Sequence, residues 1–394
     1  MPAFSANRPA VSQSWEACQN AVVDLVIIGG GIAGLTTARE AARAGMQVTV
    51  VDPTPTHGAS YAAAGMIAPL TEYHIGDARL VPLLVEAARV WPDYARRIAG
   101  ESGLPSGYVD HGTVVVGHDA DDKAELLRHL PAQRELGFDP EVLTTREVRD
   151  REPALGPTIS VGIAAPADHA VHNREFLAAL MRANELAGVR FVHESAQVSA
   201  RPHVVECESQ ELRADHIVVA AGVDTVHQGA LEAAVRAAIR PVKGQILRLQ
   251  ADRRTSTVPT LTVRALVRGK SVYIVPRPSG EVVVGATVEE RQFDVGATAA
   301  GVFELLRDAR AIMPSVDEWA FTESWAGMRP TTHDHLPIVG ASSRTDVHYA
   351  TGHGRNGILL GPLTGLSMAQ YLTTGTMPAP MAAASPLRFL GEAA

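Results

Sequence analysis

The sequence predicts an α/β chain, α+β overall, in two domains of which the first is discontinuous. Three observations predict this. A strand–turn–helix–strand unit with a glycine fingerprint occupies 22–52, its character returns at 213–222 and 347–376, and long alternating strands at 240–290 lie in between. A nucleotide-binding domain of Rossmann type, carrying a second domain built on an antiparallel sheet, satisfies all three.

The first unit is the strongest signal. Val22–Ile28 is a short, β-branched apolar run, as expected of a buried parallel strand. "GGGIAG" follows and sets Gly29, Gly31 and Gly34 in G-x-G-x-x-G spacing. The first glycine permits the tight turn, the second lets backbone approach a pyrophosphate, and the third lets helix and strand pack closely. The helix that begins at Ile32 and Ala33 would turn its free amides toward phosphates. Asp52, followed by Pro53, ends the next strand and can accept from a ribose hydroxyl. An acid there argues against a 2′-phosphate, which leaves FAD or NAD. The small residues from Ala59 and Ser60 to Ala64 and Gly65 would let backbone lie against a flat or extended ligand. A plain loop leading into a helix is the competing reading of that stretch.

Further along, 78–100 has helical periodicity, with Pro92 marking a bend or break. "GTVVVGHD" is a strand outside the βα alternation, and 173–188 is an amphipathic helix closed by Gly188. A buried strand over Ile217–Ala220 ends in a small-residue turn at Gly222. The alternating block contains "VKGQILRLQ" and a hairpin turning at Pro278-Ser279-Gly280, a platform for a substrate pocket. The late segment "VHYATGHGRNGILLGPLTG" reads as strand, glycine-rich turn, then helix. Amides at such a helix start favour negative charge, and reduced flavin is anionic around N1 and C2=O, which favours FAD. The expected division is 21–105, 158–238 and 325–376 for the FAD-binding domain and 106–157 and 239–324 for the substrate domain. Residues 1–20 form a disordered extension and 377–394 a tail.

Composition excludes several classes. The 394 residues are 46% hydrophobic, enough for a large core. Lys+Arg 35 against Asp+Glu 43 gives net −8 without a basic block, so no nucleic-acid partner is expected. Cys18 and Cys207 are too few for a disulfide framework, which favours a cytoplasmic setting. The N-terminus lacks a signal-peptide pattern. The most apolar stretch, "AVVDLVIIGGGIAGL", is interrupted by Asp24 and glycines, so no membrane span is expected. His333 and His335 form an H-x-H, but two histidines alone make a poor metal site, and no metal is expected.

Six stretches then carry a resemblance: "VIIGGGIAGLTTA", "GASYAAAGMIAP", "PVKGQILRL", "YIVPRPSGEVVVGATVE", "ESWAGMRP" and "GHGRNGILLGPLTG". In family order from about 22 to 376, the chain resembles the glycine oxidases of thiamine (thiazole) synthesis, in the D-amino acid oxidase group of flavoproteins. The resemblance implies noncovalent FAD, since no cysteine precedes the C-terminal region, and oxidation of an amine beside a carboxylate. It implies that Arg329 grips the substrate carboxylate, with Tyr273 reaching the same group. A planar guanidinium fork pairs bidentately with carboxylate and fixes the Cα–H against the flavin. A structural ion pair for Arg329 and a sheet-packing role for Tyr273 are the competing readings. Met66 would line the pocket, and Arg355 would be an electrostatic neighbour of flavin and substrate. Val198, Gly222, His353, Gly354, Asn356, Gly357, Ile358 and Leu359 would join the cofactor contacts, while Arg277 reads as structural.

The implied reaction passes a Cα hydride to flavin N5, releases an imine that hydrolyses to the oxo acid, and returns electrons to dioxygen as hydrogen peroxide. A small amino acid and dioxygen are the expected partners, and a homo-oligomer the expected assembly. The chain departs from the family pattern at Gly354, where relatives carry an aromatic residue, at Val288, where some have methionine, and at His335, usually a small residue. Gly354 opens the choice of substrate to sarcosine or a small D-amino acid. A dehydrogenase with a non-oxygen acceptor and a noncatalytic flavoprotein subunit are the rival functions.

Overall fold

A computed structural model describes residues 23–390 apart from 75, 253 and 255, so the extension expected at 1–20 lies outside the described residues. Two eight-stranded sheets organise the chain. The first is centred on Val23–Ile28, which runs parallel to Val48–Val51 on one side and to the long strand Glu211–Val219 on the other. Val347–Thr351 continues the parallel order beyond that strand. Leu25 and Ile27 pack into one hydrophobic cluster and Val26 and Ile28 into another, so the strand is buried on both faces, as its unbroken apolar run requires.

The helices Ile32–Arg43, Val81–Ser102, Asn173–Leu186 and Gly357–Thr374 cover one face. The first and last of these touch closely. A Cβ at Gly361 would lie 2.7 Å from Ile32, one at Gly365 would lie 2.6 Å from the Thr36 backbone, and the Thr36 hydroxyl donates to the Gly361 carbonyl at 2.8 Å. Pro92 does not break its helix, which runs unbroken for 22 residues. The proline forgoes one backbone bond, and the burial of Trp91, Tyr94 and Ala95 around it holds the helix together.

The second sheet is built from Thr113–Gly117, Glu141–Leu143, Val161–Ala165, Ile239–Gln250, Thr262–Val267, Lys270–Pro276, Glu281–Gly285 and Ala320–Thr332. It is antiparallel except where Thr262–Val267 runs parallel to Thr113–Gly117. The helix Ala299–Ile312 packs on one face and the first domain meets the other. Two boundaries therefore shift. Val161–Ala165 pairs with Thr113–Gly117, and Ala320–Thr332 pairs along Ile239–Gln250, so both belong to the second sheet and not to the nucleotide-binding unit. The tail is packed as far as it is described. Met381 and Ala384 are fully buried, and Arg388 binds Asp334 at 2.7 Å.

Candidate active site

The two sheets enclose a cavity of about 1130 Å³, slightly above the roughly 300–1,000 Å³ usual for small-ligand sites. One end is the glycine cradle. Gly29 has φ +111° and a Cβ there would strike the Ala220 carbonyl, while a Cβ at Gly34 would fall on the Gly29 carbonyl. The Gly30 amide donates to Asp52 Oδ2 at 2.6 Å, and the Thr54 amide to Oδ1 at 2.7 Å, which fixes the carboxylate at the cavity wall. The first intrahelical bond runs from Leu35 to the Gly31 carbonyl at 2.9 Å. The earlier amides lack a helical acceptor, and Ser60 Oγ takes only that of Ile32, at 3.0 Å. This backbone fits a diphosphate bound at a helix start and a ribose held by Asp52, as FAD presents them.

Gly29, Gly31, Ile32, Ala33, Asp52, Pro53, Ala59, Ser60, Ala64, Gly65, Met66, Gly222, His353, Gly354, Arg355, Asn356, Gly357 and Ile358 all line the cavity. Three of the expected contacts do not. Val198 is a core residue of the strand Ala196–Val198, at the edge of the sheet, where its amide donates to Gln228. Leu359 is fully buried behind the turn, its carbonyl bonded by Trp91 Nε1 at 2.9 Å. Gly34 serves only helix–strand packing.

At the other end, Arg329 and Tyr273 project from neighbouring parts of the second sheet into the cavity. Each is seated on a glycine. Gly244 lies against the Arg329 guanidinium, and Gly285, the cross-strand partner of Tyr273, lies beneath its ring. Arg329 Nη1 donates to the carbonyls of Thr287 at 3.2 Å and Lys243 at 3.4 Å, and among the described residues no carboxylate pairs with it. Burial raises the Tyr273 hydroxyl above its ordinary pKa, so it stays protonated and able to donate. Met66, on the short strand Met66–Ile67, packs with Tyr273 and Ala286 as the apolar side of this end.

Arg355 is held differently from Arg329. Its Nη2 donates to Asp77 Oδ2 at 2.6 Å and its Nε lies 3.3 Å from Glu72, which also binds Arg264. Burial raises Glu72, but the two guanidinium groups outweigh it and hold the carboxyl below its usual range. His335, at φ +60°, binds the other oxygen of Asp77 at 2.7 Å, whereas His333 turns away onto Phe389. Arg355 thus lines the cavity with its charge already balanced. Glu72, Asp77 and Arg264 were not anticipated. A charge inside the alternating strand "TVRALV" was the one available signal for this cluster. His353 bonds Thr364 at 2.9 Å, and burial lowers its imidazole to about 4, so it is neutral.

A dinucleotide cradle and a guanidinium bonded only to backbone carbonyls thus share one cavity, an arrangement that suits a flavin-type oxidoreductase. The chain belongs to the FAD dependent oxidoreductase family, whose model matches residues 24–371, and its cofactor is FAD. It is 30% identical to the glycine oxidase of Geobacillus kaustophilus over 94% of this chain and 98% of that protein. The crystal structure of glycine oxidase from that organism superposes with TM-score 0.84 at 29% identity, covering 92% of this chain and 98% of that one. It is also 32% identical to the bifunctional protein ThiO/ThiG of Nostoc sp., over 89% of this chain. Here the chain spans only about half, 52%, of the relative's length. No described helix is long and apolar enough to cross a membrane.

Proposed function

We propose that the protein catalyses oxidative deamination of glycine or a similarly small amino acid and supplies thiazole formation in thiamine synthesis. The observation that carries this reading is the Arg329–Tyr273 pair, which lines the cavity with, among the described residues, no carboxylate on the guanidinium. When bound, FAD supplies the acceptor for a hydride from the substrate Cα and passes both electrons to dioxygen, giving hydrogen peroxide.

The chain's own residues bind and orient. Arg329 holds the carboxylate through its fork, and Tyr273 donates its hydroxyl to the same group. Two fixed contacts on one end of so small a molecule set the direction of its Cα–H. Met66, Ile246 and Ala286 wall this end with apolar surface and exclude water. No side-chain base is assigned: Glu72, one of the carboxylates lining the cavity, is engaged by Arg264 and Arg355. The imine leaves and is hydrolysed to the oxo acid. The reading includes a cytoplasmic homo-oligomer, to be read by light scattering.

Gly354 favours a second substrate range. A Cβ there would meet nothing nearer than Thr331 at 3.7 Å, so the wall beside the clamp leaves room for an N-methyl group or a small side chain. Anaerobic mixing of the holoenzyme with glycine, sarcosine and D-alanine tests both ranges, because a true substrate bleaches the flavin. No bleaching with any of them sinks the enzymatic reading. Reoxidation by air against a quinone then separates oxidase from dehydrogenase.

A further inference from the structure

Arg277 follows the strand Lys270–Pro276 that carries Tyr273, and it is only 1% exposed. Its Nη2 donates to the Ala64 carbonyl, and a Cβ at Gly65 would stand 3.4 Å from the same nitrogen. Its Nε and Nη1 have no hydrogen-bond partner, and among the described residues no carboxylate pairs with it. Glu281, the acid on its own hairpin, is bound by the equally buried Arg248.

A guanidinium buried this way is expensive, and its single bond to Ala64 could be made by a neutral amide. Burial first, then Arg248, lowers its pKa to about 10, so it remains charged at neutral pH. The histidines around it are neutral and add no charge of their own: burial, then Arg277, lowers His111 and His172 to about 4. The molecule therefore keeps a positive charge directly behind the Ala64–Gly65 wall. That wall lines the cavity between the diphosphate cradle at Gly29 and the carboxylate clamp at Arg329, beside Met66 and Tyr273. The redox ring of FAD must lie between cradle and clamp for a clamped substrate to reach it.

We propose that Arg277 is a positioning residue for the cofactor: it fixes the Ala64–Gly65 wall and places behind it a charge that favours the electron-rich reduced ring. Reduction adds two electrons to the ring, and a fixed charge in a poorly screened interior acts on that change without reorganising. The proposal rests on FAD binding, not on which amino acid is oxidised.

The test is the flavin midpoint potential of the holoenzyme, set by equilibration with reference dyes under dithionite, together with the FAD dissociation constant. Arg277→Met removes charge and donor, Arg277→Gln removes charge and keeps a donor, and Arg277→Lys keeps charge. Both neutral variants should shift the reduction equilibrium about tenfold toward the oxidised form, roughly 30 mV for a two-electron couple. Arg277→Lys should stay within about threefold, and FAD affinity should change less than the potential does. A wild-type potential in either neutral variant overturns the proposal. So does a lysine variant shifted as far as the methionine one, or failure of both neutral variants to form holoprotein where lysine succeeds. No amino acid enters the measurement, so a failure of glycine to bleach the flavin leaves its result intact.

Discussion

Gly285 lies beneath the ring of Tyr273, its partner on the adjacent antiparallel strand, and a Cβ at 285 would overlap that ring. The hydroxyl's place in the cavity is therefore set by a residue outside the cavity lining. Gly285→Ala should tilt the tyrosine and raise KM for the amino acid by about tenfold, an overpacking penalty of ~1–3 kcal/mol. FAD affinity should hold. Steady-state kinetics with a flavin titration check this, and an unchanged KM would remove Tyr273 from the clamp.

Arg329→Ala should leave FAD bound and the fold intact, because the guanidinium's protein partners are two carbonyls at 3.2 and 3.4 Å. KM should rise by roughly 30-fold to several thousand-fold, the ~2–5 kcal/mol of a lost buried charge pair. Wild-type kinetics in this variant would place the substrate elsewhere.

Gly34→Ala acts on the cradle from behind, since its Cβ would fall on the Gly29 carbonyl. The helix must move off its strand, and the turn at Gly29 moves with it. FAD retention through gel filtration should fall sharply and Tm should drop, consistent with ~1–3 kcal/mol of overpacking. A holoprotein of normal Tm would contradict the close packing of helix and strand.

Asp168 gives a pH prediction of definite sign. It is 1% exposed and accepts from the amides of Thr71 at 2.7 Å and Leu70 at 3.2 Å, which fixes the loop bearing Glu72 and Asp77. Burial outweighs these bonds and raises its pKa from 3.8 to about 6. Between those values the folded state binds the proton that the unfolded state has lost. Its contribution is therefore complete below about pH 3.8 and declines as pH rises through 6, by an order of ~3 kcal/mol. Urea denaturation of wild type and Asp168→Asn from pH 4 to 7 should show the wild type losing stability relative to the variant. Parallel curves would refute the assignment.

What was legible in the sequence was mostly local or periodic. The cradle needs a fixed glycine spacing on one strand–helix turn, so "GGGIAG" with Asp52 could be read directly. The Glu72–Arg264 pair could not, because its partners are 192 residues apart and meet only once the two domains dock. Gly244 and Gly285 acquire meaning only from cross-strand register, which no single strand contains. The helices Ala120–Glu135 and Thr145–Arg151 were missed, although Asp119–Asp122 and Thr144–Glu147 form capping boxes whose spacing is visible in the sequence. Val198 lies in the core outside the cavity lining, and in a sequence an apolar residue near a nucleotide site looks the same whether it faces the ligand or the core behind it.

The contact of Gly361 and Gly365 with Ile32 and Thr36 joins residues more than 320 positions apart, at the very helix whose start forms the cradle. During synthesis, the Ile32–Thr36 face of that helix stays open until residues 357–365 have left the ribosome. A nascent chain stopped before residue 357 still offers this helix Asn184, which donates to the Leu35 carbonyl, but leaves its Ile32–Thr36 face uncovered, so cofactor capture waits for the late helix. The late helix acts as the closing latch of the assembly line, and truncations that spare every ligand-facing residue should still yield apoprotein that chaperones retain.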